Sequence, residues 1–118
     1  MAGLTTHVLD TTRGRPAAGV EIELYSLSGD GAATLLARAT TNADGRTDAP
    51  LVRPENARVG TYELRFHIGP YFAAQGALTA DPPFLDVVPI RFSIADTAAH
   101  YHVPLVATPW SYSTYRGS

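Results

Sequence analysis

Short runs in which hydrophobic and polar residues alternate dominate the chain. In VEIEL, Val20, Ile22 and Leu24 point one way and Glu21 and Glu23 the other; in YELRFHI, Tyr62, Leu64, Phe66 and Ile68 oppose Glu63, Arg65 and His67. A period of two is the mark of a β-strand with one buried face. The same period in VVPIRFSI sets Val88, Ile90, Phe92 and Ile94 on one face. Pro89, with no N–H to give a sheet, marks an edge or a strand start there. LTTHVLD, LLARATT and HYHVPLV complete the predicted strands.

Turn signals separate these runs: GRPAAG, SGDG, NADGR, ENARVG and DPP. The intervals are too short for crossover helices, which favours an all-β sandwich of two antiparallel sheets. One short helix is predicted in PYFAAQGAL, with Pro70 in its first turn and Gly76 at its end. No internal repeat, linker or low-complexity tract interrupts the pattern. With 118 residues, the expectation is a single domain over 1–118.

Charge narrows the classes of partner. Nine basic and eleven acidic residues are spread along the chain for a net charge of -2, so there is no basic footprint for nucleic acid or an anionic membrane. The absence of cysteine excludes a disulfide scaffold, a thiol nucleophile and a thiolate metal site. MAGLTTHVLD lacks a basic region followed by an apolar one, and no stretch approaches the roughly 20 apolar residues of a membrane span. The cytoplasm is the expected location.

Candidate chemistry gathers in few places. HYHVPL puts His100 and His102 on one strand face, with Tyr101, Val103 and Leu105 on the other. Two such histidines suit a metal site given a third ligand, an imidazole base for neutral-pH hydrolysis, or two solvated rings with no chemistry. His7 lies mid-strand in LTTHVLD, and His67 shares a polar stripe with Glu63 and Arg65. Arg46 follows the turn NADGR, where a guanidinium either clamps a urea-like or anionic ligand or points into water. There is no Gly-rich phosphate loop and no nucleophile elbow. The C-terminal YSTYRGS is rich in hydrogen-bonding side chains for a terminus, which suggests that it is held.

Taken together, the motifs carry a resemblance. THVLDTTRGRPAAGVEIEL, TTNADGR and VGTYELRF are similar to many prealbumin-like sandwich modules, adhesion and carbohydrate-binding ones among them. GPYFAAQG, the Val-Pro-Ile-x-Phe region, HYHVPL and terminal YRGS look like the transthyretin-related 5-hydroxyisourate hydrolases, over His7 to Ser118. Transthyretins that carry thyroid hormone lack these histidines, the DGR arginine and the YRGS ending. The chain departs from the family pattern in VATPW, at Ala107, Thr108 and Trp110.

The resemblance implies a transthyretin-like sandwich of about four strands per sheet, assembled as a homotetramer with active sites at the dimer–dimer interface. It implies hydrolysis of 5-hydroxyisourate to 2-oxo-4-hydroxy-4-carboxy-5-ureidoimidazoline in purine (urate) catabolism, with no metal or organic cofactor. His7, Arg46 and His102 would be catalytic, and Ser113, Tyr115, Arg116, Gly117 and Ser118 would bind substrate. The competing implication is a transthyretin-like carrier of small aromatic ligands without catalysis.

Overall fold

The computed structural model describes residues 3–77 and 80–117. Its strands are β1 (Gly3–Asp10), β2 (Arg15–Pro16), β3 (Glu21–Leu27), β4 (Ala33–Thr40), β5 (Gly60–His67), β6 (Val87–Ile94), β7 (His100–Ala107) and β8 (Tyr112–Thr114). A 3-10 turn covers Pro54–Asn56, and one helix, α1 (Ile68–Ala74), follows β5 directly. Two four-stranded sheets form, in the orders β2-β1-β7-β8 and β4-β3-β5-β6.

The alternating runs bury the faces expected of them. Val20, Ile22, Leu24, Leu64 and Phe66 from one sheet meet Leu4, Val8, Val103 and Leu105 from the other in a shared core. Pro89 lies on β6, an edge strand, where its missing N–H costs no ladder bond. Pro70 occupies the first turn of α1, and Gly76 follows its end at a φ of +77°, a conformation glycine adopts without a Cβ clash. The expected helical segment also takes in Leu78, which lies outside the described residues.

One pairing corrects the expectation of two antiparallel sheets. β1 and β7 run parallel, in register from Gly3 opposite His100 to Asp10 opposite Ala107. Short turns cannot join parallel neighbours, but here everything from β2 to β6 lies between them and supplies the long connection. Strands β2 and β8, at the ends of the chain's turns, were not anticipated either; each is short and lacks alternation of its own.

Buried polar ties hold the layers to one another. At the end of β1, Asp10 Oδ1 accepts from the N–H groups of Thr12 (2.9 Å) and Arg13 (3.1 Å), and Oδ2 accepts from the Tyr71 hydroxyl (2.7 Å). Tyr71 meets Phe72 edge to face at 5.0 Å, so α1 contributes an aromatic wall as well as a hydrogen bond. Burial first and the Asp10 bond second push the Tyr71 hydroxyl up to about 12. On the connection into β7, the Tyr101 hydroxyl accepts from Ala95 and Asp96 N–H, both at 3.1 Å. Thr6 Oγ1 donates to the Val103 carbonyl at 2.6 Å, tying β1 to β7 inside the core.

The outward face of the β4-β3-β5-β6 sheet is a lattice of paired charges. Glu23 meets Arg38 (3.1 Å) and His67 (3.0 Å), and Glu63 meets Arg65 (2.8 Å) and Arg91 (3.2 Å). The Arg65 guanidinium also covers the Tyr25 ring at 4.0 Å. Bonding from Arg65 holds the Glu63 carboxyl below the usual carboxylate range. His67 therefore belongs to a structural network on this face.

Tyr71→Phe should lower the unfolding free energy by about 1.5–3 kcal/mol, the range for a buried hydrogen bond to a charged acceptor. Denaturant titration at neutral pH measures it. Because folding raises the Tyr71 pKa, its contribution is complete below 10.0 and declines as pH rises toward about 12, and the variant should lack that alkaline decline.

Candidate active site

Directly paired residues in a sheet share a face, so the parallel register decides which side chains meet. Leu4, Thr6 and Val8 of β1 and Tyr101, Val103 and Leu105 of β7 turn inward and are buried. Thr5 and His7 therefore turn outward beside His100, His102 and Pro104: Thr5 pairs with His102, and His7 with Pro104. The outward face of the β2-β1-β7-β8 sheet thus gathers three histidines in a patch, of which His7 and His102 are half-buried.

Arg46 is brought to this face by its turn. The Asn42 side-chain oxygen accepts from Asp44 N–H (2.9 Å) and Arg46 N–H (3.2 Å), closing the loop over NADG. Asn42 N–H donates to the Arg46 carbonyl, and Val8 N–H to the Gly45 carbonyl, both at 2.8 Å. Arg46 consequently bridges to His7 as an antiparallel neighbour. Gly45 permits this approach: its φ is +75°, and a Cβ there would stand 2.4 Å from the Val8 carbonyl oxygen.

The C-terminal segment closes the other flank. β8 pairs with β7, setting Ser113 opposite Val106 on the outward side. Gly117 then bridges to His102, donating its N–H to the His102 carbonyl at 2.8 Å. A Cβ on Gly117 would lie 2.6 Å from His102 Cδ2, so only a glycine lets the backbone rest against that ring. The segment through Gly117 is held, as its composition suggested.

Not every anticipated residue joins the patch within a single chain. Arg116 turns to the other side, where its guanidinium stacks on the Tyr101 ring at 4.2 Å and donates to the His100 carbonyl at 3.3 Å. Tyr115 is mostly exposed and, with Thr114 and Arg116, lines a cleft of about 370 Å³ between the edges of β6 and β8, floored by Ile90, Phe92 and Val103. Ser118 lies outside the described residues. Thr5 was not anticipated: its hydroxyl stands 2.8 Å from His102 Nδ1 and 3.0 Å from His100 Nε2. Period-two alternation placed it on the His7 face, but only the pairing of β1 with β7 puts it between two rings.

The electrostatics favour a neutral imidazole. Burial pushes the His102 pKa below the ordinary histidine value, and the Arg46 charge, then His7 and His100, push it further the same way. An unprotonated ring beside a guanidinium can take a proton from water while the cation offsets negative charge forming on an attacked carbonyl oxygen. Among the described residues, no group of three or more His, Asp or Glu side chains is placed to hold a metal ion.

Fold and patch together define a transthyretin-like β-sandwich with an imidazole–guanidinium site on the outer face of one sheet. Residues 4–117 match the HIUase/Transthyretin family. A 5-hydroxyisourate hydrolase of Deinococcus radiodurans is 62% identical over 116 residues, covering 98% of this chain and 96% of that protein. Among solved structures, a crystal structure of (S)-allantoin synthase superposes with a TM-score of 0.91 at 47% identity over 98% of this chain; the chain spans only 43% of that longer protein. Sea bream transthyretin in complex with thyroxine superposes with a TM-score of 0.86 at 29% identity, covering 97% of this chain and 93% of the other. The chain belongs to the HIUase/Transthyretin family.

Because the His102 pKa is depressed, the acid limb of any His102-dependent rate should lie below the ordinary histidine value. Arg46→Gln should move that limb upward, since it removes a cation that opposes ring protonation. A pH–rate series on both proteins measures the displacement. Gly117→Ala should disturb the His102 ring without unfolding the core, with a loss of rate at unchanged thermal midpoint.

Proposed function

We propose that the histidine face is the active site of a hydrolase acting on 5-hydroxyisourate, opening its six-membered ring to 2-oxo-4-hydroxy-4-carboxy-5-ureidoimidazoline in urate catabolism. The observation that carries the reading is the juxtaposition of His7, Arg46 and His102 on one outward face, in a chain 62% identical to a 5-hydroxyisourate hydrolase over nearly its whole length.

Hydrolysis of an amide-like bond needs a water aimed at a carbonyl carbon, a group to take its proton, and a donor for the oxygen that becomes negative. His102 is the base, kept neutral by burial and by neighbouring charge. His7, two register positions further along the sheet and on the same face, helps to orient the water. Arg46 binds the urate-like oxygens and stabilises the developing oxyanion. The proton taken by His102 returns to the departing ring nitrogen. Ser113 and Gly117 border the patch, and Tyr115 and Arg116 are assigned to its rim, with Arg116 held at the His100 carbonyl. Ser118 is assigned to substrate hydrogen bonding.

On one chain the patch is a sheet face open to solvent, and assembly would close it. The homotetramer, with sites at the dimer–dimer interface, is supported by this open face and by the cleft between the β6 and β8 edges. Exposed Val87, Trp110, Tyr112 and Tyr115 add apolar surface for packing. Residues 1–118 are taken as one transthyretin-like domain, acting in the cytoplasm; among the described residues no helix is long and apolar enough to cross a membrane. The carrier reading draws on the similarity to a transthyretin bound to thyroxine. A face of imidazoles and a guanidinium suits a polar, urea-like ring better than an apolar hormone.

To test the assignment, 5-hydroxyisourate is generated from urate with urate oxidase and its ultraviolet absorbance followed. The protein should accelerate decay over the spontaneous rate, and His102→Ala should lose about 10²–10⁴-fold in rate, the usual contribution of a general base. Light scattering should show both proteins at close to four times 12.6 kDa. A folded tetramer that leaves the decay unchanged would instead support the carrier.

A further inference from the structure

Between the two histidines of β7 stands a hydroxyl to which the mechanism gives no role. Thr5 Oγ1 is within hydrogen-bond distance of both His102 Nδ1 (2.8 Å) and His100 Nε2 (3.0 Å). A hydroxyl has one proton, so against two ring nitrogens it donates to one and accepts from the other. Two arrangements satisfy this.

In the first, His102 Nδ1–H donates to Thr5, and Thr5 O–H donates to His100 Nε2. His102 Nε2 is then a bare lone pair, the form a general base requires. In the second, both bonds are reversed, and His102 carries its proton on Nε2, where it cannot accept one from water. One feature favours the first. When His102 becomes an imidazolium, that arrangement already supplies an acceptor for its Nδ1–H, in a chain whose members polarise one another.

We propose that Thr5 is a positioning residue that, with His100 as its terminal acceptor, holds His102 in the Nδ1–H tautomer and so presents Nε2 to the substrate as the base. The proposal rests on the assignment of His102 as base and gives His100 and Thr5 a function within that site. It explains why β1 carries a hydroxyl where its outward face meets His102, and why HYHVPL keeps two histidines when one suffices for proton transfer.

Long-range proton–nitrogen spectra of protein labelled with ¹⁵N at histidine read the tautomer directly, with no substrate present. In the wild type at neutral pH, His102 should show the Nδ1–H form. Thr5→Val, which keeps the shape and removes the hydroxyl, should shift it to a mixture. The rate constant should fall about 10- to 100-fold with KM nearly unchanged, well short of the loss when a charged partner orienting a catalytic histidine is replaced. Thr5→Ser should restore both tautomer and rate, and His100→Ala should give an intermediate mixture. A wild-type His102 protonated on Nε2 would overturn the proposal whether or not any variant folds. So would a Thr5→Val protein with wild-type rate and unchanged His102 nitrogen shifts. A wild type without turnover whose His102 tautomer depends on Thr5 would remove the enzyme reading and uphold the hydrogen-bonded chain.

Discussion

The parallel pairing of β1 with β7 is the constraint on which the site depends. It joins the first and the penultimate strands of a sheet whose connection passes through the whole of the other sheet. A slip of one residue in that register would set His102 opposite Leu4 or Thr6 and turn it into the core, and the outward meeting with Thr5 would be lost. Register is held from inside, by the burial of Leu4, Val8, Val103 and Leu105 and by the Thr6 hydroxyl on the Val103 carbonyl. Packing on one face of the sheet thus sets chemistry on the other.

The two outward faces of the sandwich handle charge in opposite ways. On the β4-β3-β5-β6 sheet, carboxylates and cations are interleaved, and every ion pair found among the described residues lies there. Paired charges of that kind add little stability at a surface but leave no net field to bind a ligand. On the other face Arg46 stands beside imidazoles with no carboxylate pairing it among the described residues, and the His102 pKa is pushed down rather than up. An uncompensated cation next to a neutral base is what distinguishes a reactive face from a structural one.

Much of this was legible in the sequence because alternation reports burial directly. Ile22, Leu24, Leu64, Phe66, Val88 and Ile94 are buried as their period required, and Pro89 marks an edge. The parallel pair was not legible, because β1 alternates like an antiparallel strand: only its inner face is covered, whereas strands of most parallel sheets are apolar throughout. β8 escaped notice since YST has no inward hydrophobic residue, and its place is fixed by β7 rather than by its own pattern. Motif resemblance pointed to His7, Arg46 and His102, and the structure gathers these three; it turns Arg116 onto Tyr101, a contact that no local spacing announces. Thr5 was hidden for the same reason as the parallel pair, since its partners lie nearly a full chain length away.

The claim that most needs a direct test is that ligand binds the histidine face. Urate, a stable ring close in shape and polarity to the substrate, can be titrated into ¹⁵N-labelled protein while the amide and imidazole resonances are followed. Binding at the site would shift Thr5, His7, Arg46, His102 and Gly117 together and leave the β4-β3-β5-β6 face unchanged. Shifts confined to the cleft of Ile90, Phe92 and Val103, with the histidines unmoved, would contradict it.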